Sequence, residues 1–246
     1  MRFLIMHRTN PHWESGAVPT PELIQHVGAL VGELARSGKL LAGEGLRPSR
    51  LGVRLQFTDG ARAIQKGPFA ESKGQVEGFA IMKLKSIDEA IEWATKFAQV
   101  LGDLQVDIRP VTEGWDLGFG EKPPELETTR YLATHKRRSS GGVVPLTGTK
   151  KAEMDALMAN MESRGILLSA VWLEPASKGA CLRLTNGKPL VLDGPFAESK
   201  ELLGGFVILR LDSLQEAIEC AERYQSVVGA EQVEVRLVAE PQSGSA

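Results

Sequence analysis

GPFAESK occurs twice in this chain, at Gly67–Lys73 and again at Gly194–Lys200. The offset of 127 positions aligns far more than the heptapeptide: Gly78-Phe79 with Gly205-Phe206, Leu84 with Leu211, Ala90-Ile91-Glu92 with Ala217-Ile218-Glu219, and Arg109 with Arg236. Near the N-terminus the offset becomes 128, matching Arg2, Leu4 and His7 with Arg130, Leu132 and His135. A period this long is not a solenoid; it predicts two domains of about 120 residues each. Residues 1–111 form the first repeat and 130–240 the second, with a Gly- and Pro-rich linker at 112–129 and a small, polar, fraying tail at 241–246.

Local signals repeat with the same spacing. Asp59-Gly60 and Asn186-Gly187 lie between β-rich runs and favour tight hairpins with positive φ. Ser86 with Glu89 and Ser213 with Glu216 are capping boxes, and Gly38 and Gly165 end the earlier helix of each half. The first repeat then reads as strand (about 2–7), helix (about 20–36), strand (about 39–46), hairpin (about 52–65), strand (about 77–85), helix (about 87–101) and strand (about 105–111). Without the inserted hairpin this is βαββαβ, an α+β fold of the ferredoxin-like kind. Phe79 and Ile81 alternate with Ala80, Met82 and Leu84, so the strand is apolar on both faces and the sheet needs cover on its helix-free side. Two repeats packed sheet to sheet, or curled into a shared barrel, supply that cover within one chain. Trp115 and Phe119 of the linker are expected to dock.

The 246 residues are 42% hydrophobic and 24% charged, with a net charge of -2, so there is no electrostatic reason to expect nucleic acid or an anionic membrane as partner. No apolar run approaches a signal-peptide core or a membrane span, and Cys181 and Cys220 make no CxxC pair. A cytoplasmic location is the expectation, with no cofactor.

DGPFAESKELLGGFVIL at Asp193–Leu209, preceded by a hairpin and followed by a capped helix, resembles the YCII-related proteins with a DGPF motif; GEGLRP at Gly43–Pro48 resembles the stretch they carry after the first helix. The resemblance implies ferredoxin-like units of the dimeric α/β-barrel type. A tandem member is then an intrachain pseudo-dimer, with a higher oligomer open. It also implies a helical histidine and a motif aspartate as an acid–base pair. Here these are His26 and Asp193, but the first repeat has Lys66 at the motif position and the second has Glu153 at the histidine position, so any such site is asymmetric.

Candidate ligand-binding residues are Glu44, Lys66 and the polar ends of the heptapeptides, Glu71, Ser72, Lys73, Glu198, Ser199 and Lys200. The competing reading of GPFAESK is structural: a Gly-Pro turn, a Phe anchor and a polar link. His7 and His135 could face each other across a pseudo-twofold axis, but too few ligands accompany them for a metal site. Lys83 and Arg210 either line an anion-accepting cavity or sit at strand ends. The leading functional expectation is a small-molecule-binding or regulatory module, and family members are often encoded near extracytoplasmic-function sigma factors. The alternative is a lyase or isomerase acting on a small organic acid or aromatic substrate through His26 and a carboxylate.

Overall fold

Four of the five α-helices among the described residues begin where a short polar side chain satisfies a first-turn amide. In the computed structural model, which describes residues 1–69, 74–137, 146–185, 188–195 and 202–240, the Ser86 hydroxyl accepts from Glu89 N at 3.2 Å and Ser213 from Glu216 N at 3.1 Å. The paired glutamates reach one residue further back, accepting from Lys85 N and Asp212 N. Gly38 and Gly165 take φ of 70° and 65° just past their helices, as a left-handed stop requires, and Asp59-Gly60 turns its hairpin with both φ positive. Asn186-Gly187, the tail 241–246 and the polar ends of both heptapeptides lie outside the described residues.

The first repeat contains β1 (Arg2–Arg8), a short α1 (Pro11–Glu14), α2 (Pro21–Arg36), β2 (Leu40–Gly45), the hairpin β3 (Val53–Thr58) and β4 (Ala61–Lys66), β5 (Gly78–Leu84), α3 (Ile87–Leu101) and β6 (Leu104–Pro110). The second contains β7 (Thr129–Arg137), α4 (Gly148–Ser163), β8 (Leu167–Trp172), β9 (Ala180–Thr185), β10 (Lys188–Asp193), β11 (Leu203–Arg210), α5 (Leu214–Val228) and β12 (Gln232–Leu237). The architecture among the described residues is α+β, with five α-helices and two antiparallel sheets.

The sheets do not follow the repeats. One sheet runs β10-β9-β12-β1-β11-β2 and the other β4-β3-β6-β7-β5-β8. The four strands β12-β1-β11-β2 have the ferredoxin-like order, as do β6-β7-β5-β8, yet each sheet takes its first βαβ unit from one repeat and the remainder from the other. Thus Leu4 lies opposite Ile208 of β11, and Ile81 opposite Leu132 of β7. Reading one sheet into each repeat is therefore corrected. The physical reason is the duplication itself: equivalent strands offer equivalent edges, so the apolar pattern cannot say which copy a strand joins. Residues 46–52 and 173–179 carry the chain between the sheets, with Leu46 bridging Val111 and Leu173 bridging Val238.

Three apolar layers result. Leu30 and Leu34 of α2 and Ala217, Ile218 and Ala221 of α5 cover the outer face of the first sheet. Helices α3 and α4 cover the second through Ile91, Trp93, Ala94 and Met161. Between the sheets Leu4, Met6, Phe206 and Ile208 meet Phe79, Ile81 and Leu132, with the Phe79 and Phe206 rings 4.7 Å apart. Lys83 and Arg210 are exposed at their strand ends, so of their two readings the strand-end one holds. In the linker Trp115 is half-buried, but Phe119 is 61% exposed and does not dock.

The described start of each heptapeptide is a turn packed against the crossing segment. Gly67 N donates to Gly52 O and Gly194 N to Gly179 O, both at 3.0 Å, and both Gly-Pro bonds are cis. A Cβ at Gly67 would stand 1.8 Å from Ser49 O, and one at Gly194 1.9 Å from Ala176 O. Phe69 is buried beneath the Arg54 guanidinium, 4.5 Å from the ring centroid. Gly67→Ala and Gly194→Ala should each destabilise the fold by about 1–3 kcal/mol or more, because a backbone carbonyl must move. Gly28→Ala, on α2 with open space around it, should stabilise by about 0.5–1 kcal/mol. Urea denaturation midpoints of the three variants check this, and equal effects would refute the packing role of the motif glycines.

Candidate functional site

Alternation along β6 sends Leu104, Val106 and Ile108 to the helices and Gln105, Asp107 and Arg109 into the space between the sheets. On β12 the equivalent residues are Gln232, Glu234 and Arg236; β1 and β7 add Arg8 and Lys136. All eight side chains are buried, so beside the apolar inter-sheet core lies a polar layer with an approximate twofold repeat.

The two arginines bind across the sheets. Arg109 donates from Nη1 to Leu203 O, from Nε and Nη2 to Arg47 O, and to the Glu14 carboxylate at 2.9 Å. Arg236 donates to Val76 O at 3.3 Å and to Glu174 O at 2.8 Å. Glu14 sits on α1, whose Asn10 cap and Pro11 start present it to both Arg109 and Ser49 N. An Asn-Pro helix start is visible in the sequence, yet this helix was missing from the expected elements.

The other charges break the symmetry. Arg8 forms a buried ion pair with Glu234. Around Lys136, the equivalent of Arg8, the carboxylate is Asp107, which already receives a bidentate pair from Arg54 at 2.7 and 2.9 Å and a bond from Gln105 at 3.0 Å. The position equivalent to Arg54 is Cys181, and the cation beside it is Arg183, two residues further along β9. Burial pushes the Lys136 ammonium down to about 8; Asp107 opposes the shift and the nearby Arg8 and Arg54 reinforce it. Here Arg8, Arg109, Lys136 and Asp107 line a cavity of about 20 Å³, closed by Leu46, Val76, Leu202 and Leu203. Val76 and Leu202 lie just beyond the two heptapeptides.

The histidines point the other way. His7 and His135 lie on the helix sides of different sheets, so the expectation that they face each other fails by strand alternation. Each ring lies over a glycine of the neighbouring strand: a Cβ at Gly205 would meet His7 at 2.8 Å, and one at Gly78 would meet His135 at 2.7 Å. His7 Nδ1 is 2.7 Å from the Tyr224 hydroxyl, whereas Phe97 stands at Tyr224's equivalent position beside His135. Among the described residues no three His, Cys, Asp or Glu side chains are grouped to hold a metal ion.

The sequence candidates are not brought together. His26 is exposed on α2, because the apolar stripe runs through Leu23, Val27, Leu30 and Leu34 and passes it by, although its spacing of three from Leu23 and four to Leu30 predicts that it projects from the apolar face. Asp193 is exposed on β10, at the edge of the sheet opposite to β2, against which α2 packs. No hydrogen bond joins them. Glu44 is paired with Arg130, which also holds Glu113, and Lys66 is exposed at the end of β4. Glu71, Ser72, Lys73, Glu198, Ser199 and Lys200 lie outside the described residues. The polar layer was missed because alternation on 104–110 reads as a solvent face; its signal is that the same charges recur, in phase, at 232–237.

Burial, reinforced by Arg8 and Arg109, pushes His7 down to about 4. The unfolded ring takes up its proton near pH 6.5, so stability should fall as the pH drops below about 6.5 and continue falling to about 4. NMR titration of the His7 ring should give a midpoint below 5; one near 6.5 would mean a ring open to water.

Residues 1–112 and 132–240 each match the YCII-related domain. A relative, "Uncharacterized protein R00369" of Rhizobium meliloti (strain 1021), is 38% identical over 69 residues, 28% of this chain and 56% of that protein. The chain thus spans little more than half the length of that curated relative. No solved structure matches. No helix among the described residues is long and apolar enough to cross a membrane.

Proposed function

The chain belongs to the YCII-related family, and on that premise we propose that it is a binding module for a small organic anion held between its two sheets. The facing sheets are then the intrachain form of the dimeric α/β barrel, and the polar layer is its ligand chamber. The observation that carries this reading is that Arg8, Arg109 and Lys136 line one cavity in which Asp107 is the one carboxylate among the described lining residues, while Glu234 and Glu14 pair with Arg8 and Arg109 from outside it. Buried guanidinium and ammonium groups favour a compact oxyanion through charge-assisted hydrogen bonds. A volume of about 20 Å³ accommodates one or two water-sized groups, which suits a carboxylate head. The apolar rim of Leu46, Leu202 and Leu203 suits the carbon attached to it.

Binding without chemistry accounts for what the cavity holds. General acid–base work needs a proton-transfer group within about 2.6–3.2 Å of its target. Exposed His26, with Asp193 at a distant edge, offers no such arrangement.

The test is a thermal-shift and calorimetric titration with formate, acetate and propionate against sodium chloride at matched ionic strength. A carboxylate at 100 times its Kd should stabilise the protein by about 2.7 kcal/mol, and chloride should not. The anion binds the protonated amine, so affinity should hold below the Lys136 value of about 8 and weaken as the pH rises through it. Lys136→Met should weaken binding at pH 7 and remove that pH dependence. Equal shifts with chloride, or an unchanged profile in Lys136→Met, would refute the reading.

A further inference from the structure

A second cavity lies on the opposite face of the sheet that holds Lys136. It occupies about 40 Å³ between β5, β7, β8 and the helices α3 and α4. Its floor is Trp93, Ala94 and Met161; its mouth is formed by half-exposed Phe97, Met158 and Trp172 beside exposed Ala170 of the edge strand β8. The space arises because Ala80, Ala94, Ala133 and Ala170 stand among large rings and thioethers. The rings at the mouth are already arranged around it: His135 is 5.0 Å from both Phe97 and Trp172, and these two are 5.9 Å apart.

We propose that this pocket binds the short apolar part of a neutral small molecule, on the order of three or four carbon atoms. The size follows from the volume, since a water-sized group occupies about 10–15 Å³ on the same measure. The chemistry follows from the lining, which among the described residues contains no carboxylate and no lysine or arginine. Cations are already placed on Trp93, with Lys96 4.2 Å and Arg164 5.4 Å from its ring centroid, which disfavours a cationic ligand. Methionine side chains adjust to irregular apolar guests at low cost. The equivalent region of the other sheet is built differently: Tyr224 replaces Phe97, Cys220 replaces Trp93, and Gly43 and Gly45 replace Ala170 and Trp172. The pocket is thus a property of one sheet and its helices, and it is independent of the inter-sheet anion cavity.

The probes are xenon and 1-butanol, titrated into the full chain carrying ¹³C-methyl methionine, with the tryptophan indoles followed in parallel. Saturable shifts are expected at Met158, Met161, Trp93 and Trp172, with Met6 of the inter-sheet core unmoved. Ala170→Leu, at an exposed position, should block the mouth and weaken butanol binding at least tenfold; Ala94→Leu should do the same by filling the floor. The wild-type titration decides even if a variant fails to fold. Absence of saturable shifts, equal shifts at Met6, or undiminished binding in folded Ala170→Leu would overturn the proposal. Acetate binding at the Lys136 cavity is unaffected in either case, so the two sites fail separately.

Discussion

A sheet with helices on one face must bury the other, and in this protein that requirement is met by a second sheet of the same kind. Leu4, Met6, Phe206 and Ile208 close on Phe79, Ile81 and Leu132. Beside this apolar seam Arg109 and Arg236 reach carbonyls of the opposing sheet's chain, Leu203 and Val76. A buried guanidinium is costly unless its donors find acceptors, and the bonds that these two make across the seam exist only when the sheets face each other. The strand exchange adds a second tie: because each sheet contains part of each repeat, separating the repeats requires breaking both ladders.

Duplication gave both halves one plan, and later substitutions gave them different chemistry. Arg8 with Glu234 is a buried ion pair, while Lys136 lies near an Asp107 that is paired with Arg54; Arg8 and Lys136 both line the cavity. His7 is held by Tyr224, while His135 packs among Phe97 and Trp172 at the edge of an apolar pocket. Adjacent residues of β7, His135 and Lys136, therefore serve two different cavities on the two faces of one strand. The divergence visible at Lys66 and Asp193 has its counterpart inside the molecule, though at other residues.

Much of the fold is legible in the sequence because its signals are local. Capping serines, the Asp59-Gly60 turn, the glycines ending α2 and α4, and two-faced apolar strands place the elements to within a residue or two. Strand partnership is not legible, since two copies with equivalent edges give one hydrophobic pattern for either pairing. The candidate site was only partly legible for a related reason. His26 satisfies the spacing of an apolar helix face with Leu23 and Leu30, but Val27 satisfies it as well and takes the buried side. Polar alternation on β6 and β12 looks like solvent exposure until a second sheet is known to cover it.

The strand exchange is the claim on which both cavities depend, and scalar couplings across backbone hydrogen bonds test it directly. Couplings should join β1 to β11 and β12, with Leu4 opposite Ile208 and Arg236, and β5 to β7, with Ile81 opposite Leu132. A ladder joining β1 to β5, with Leu4 opposite Ile81, would contradict it.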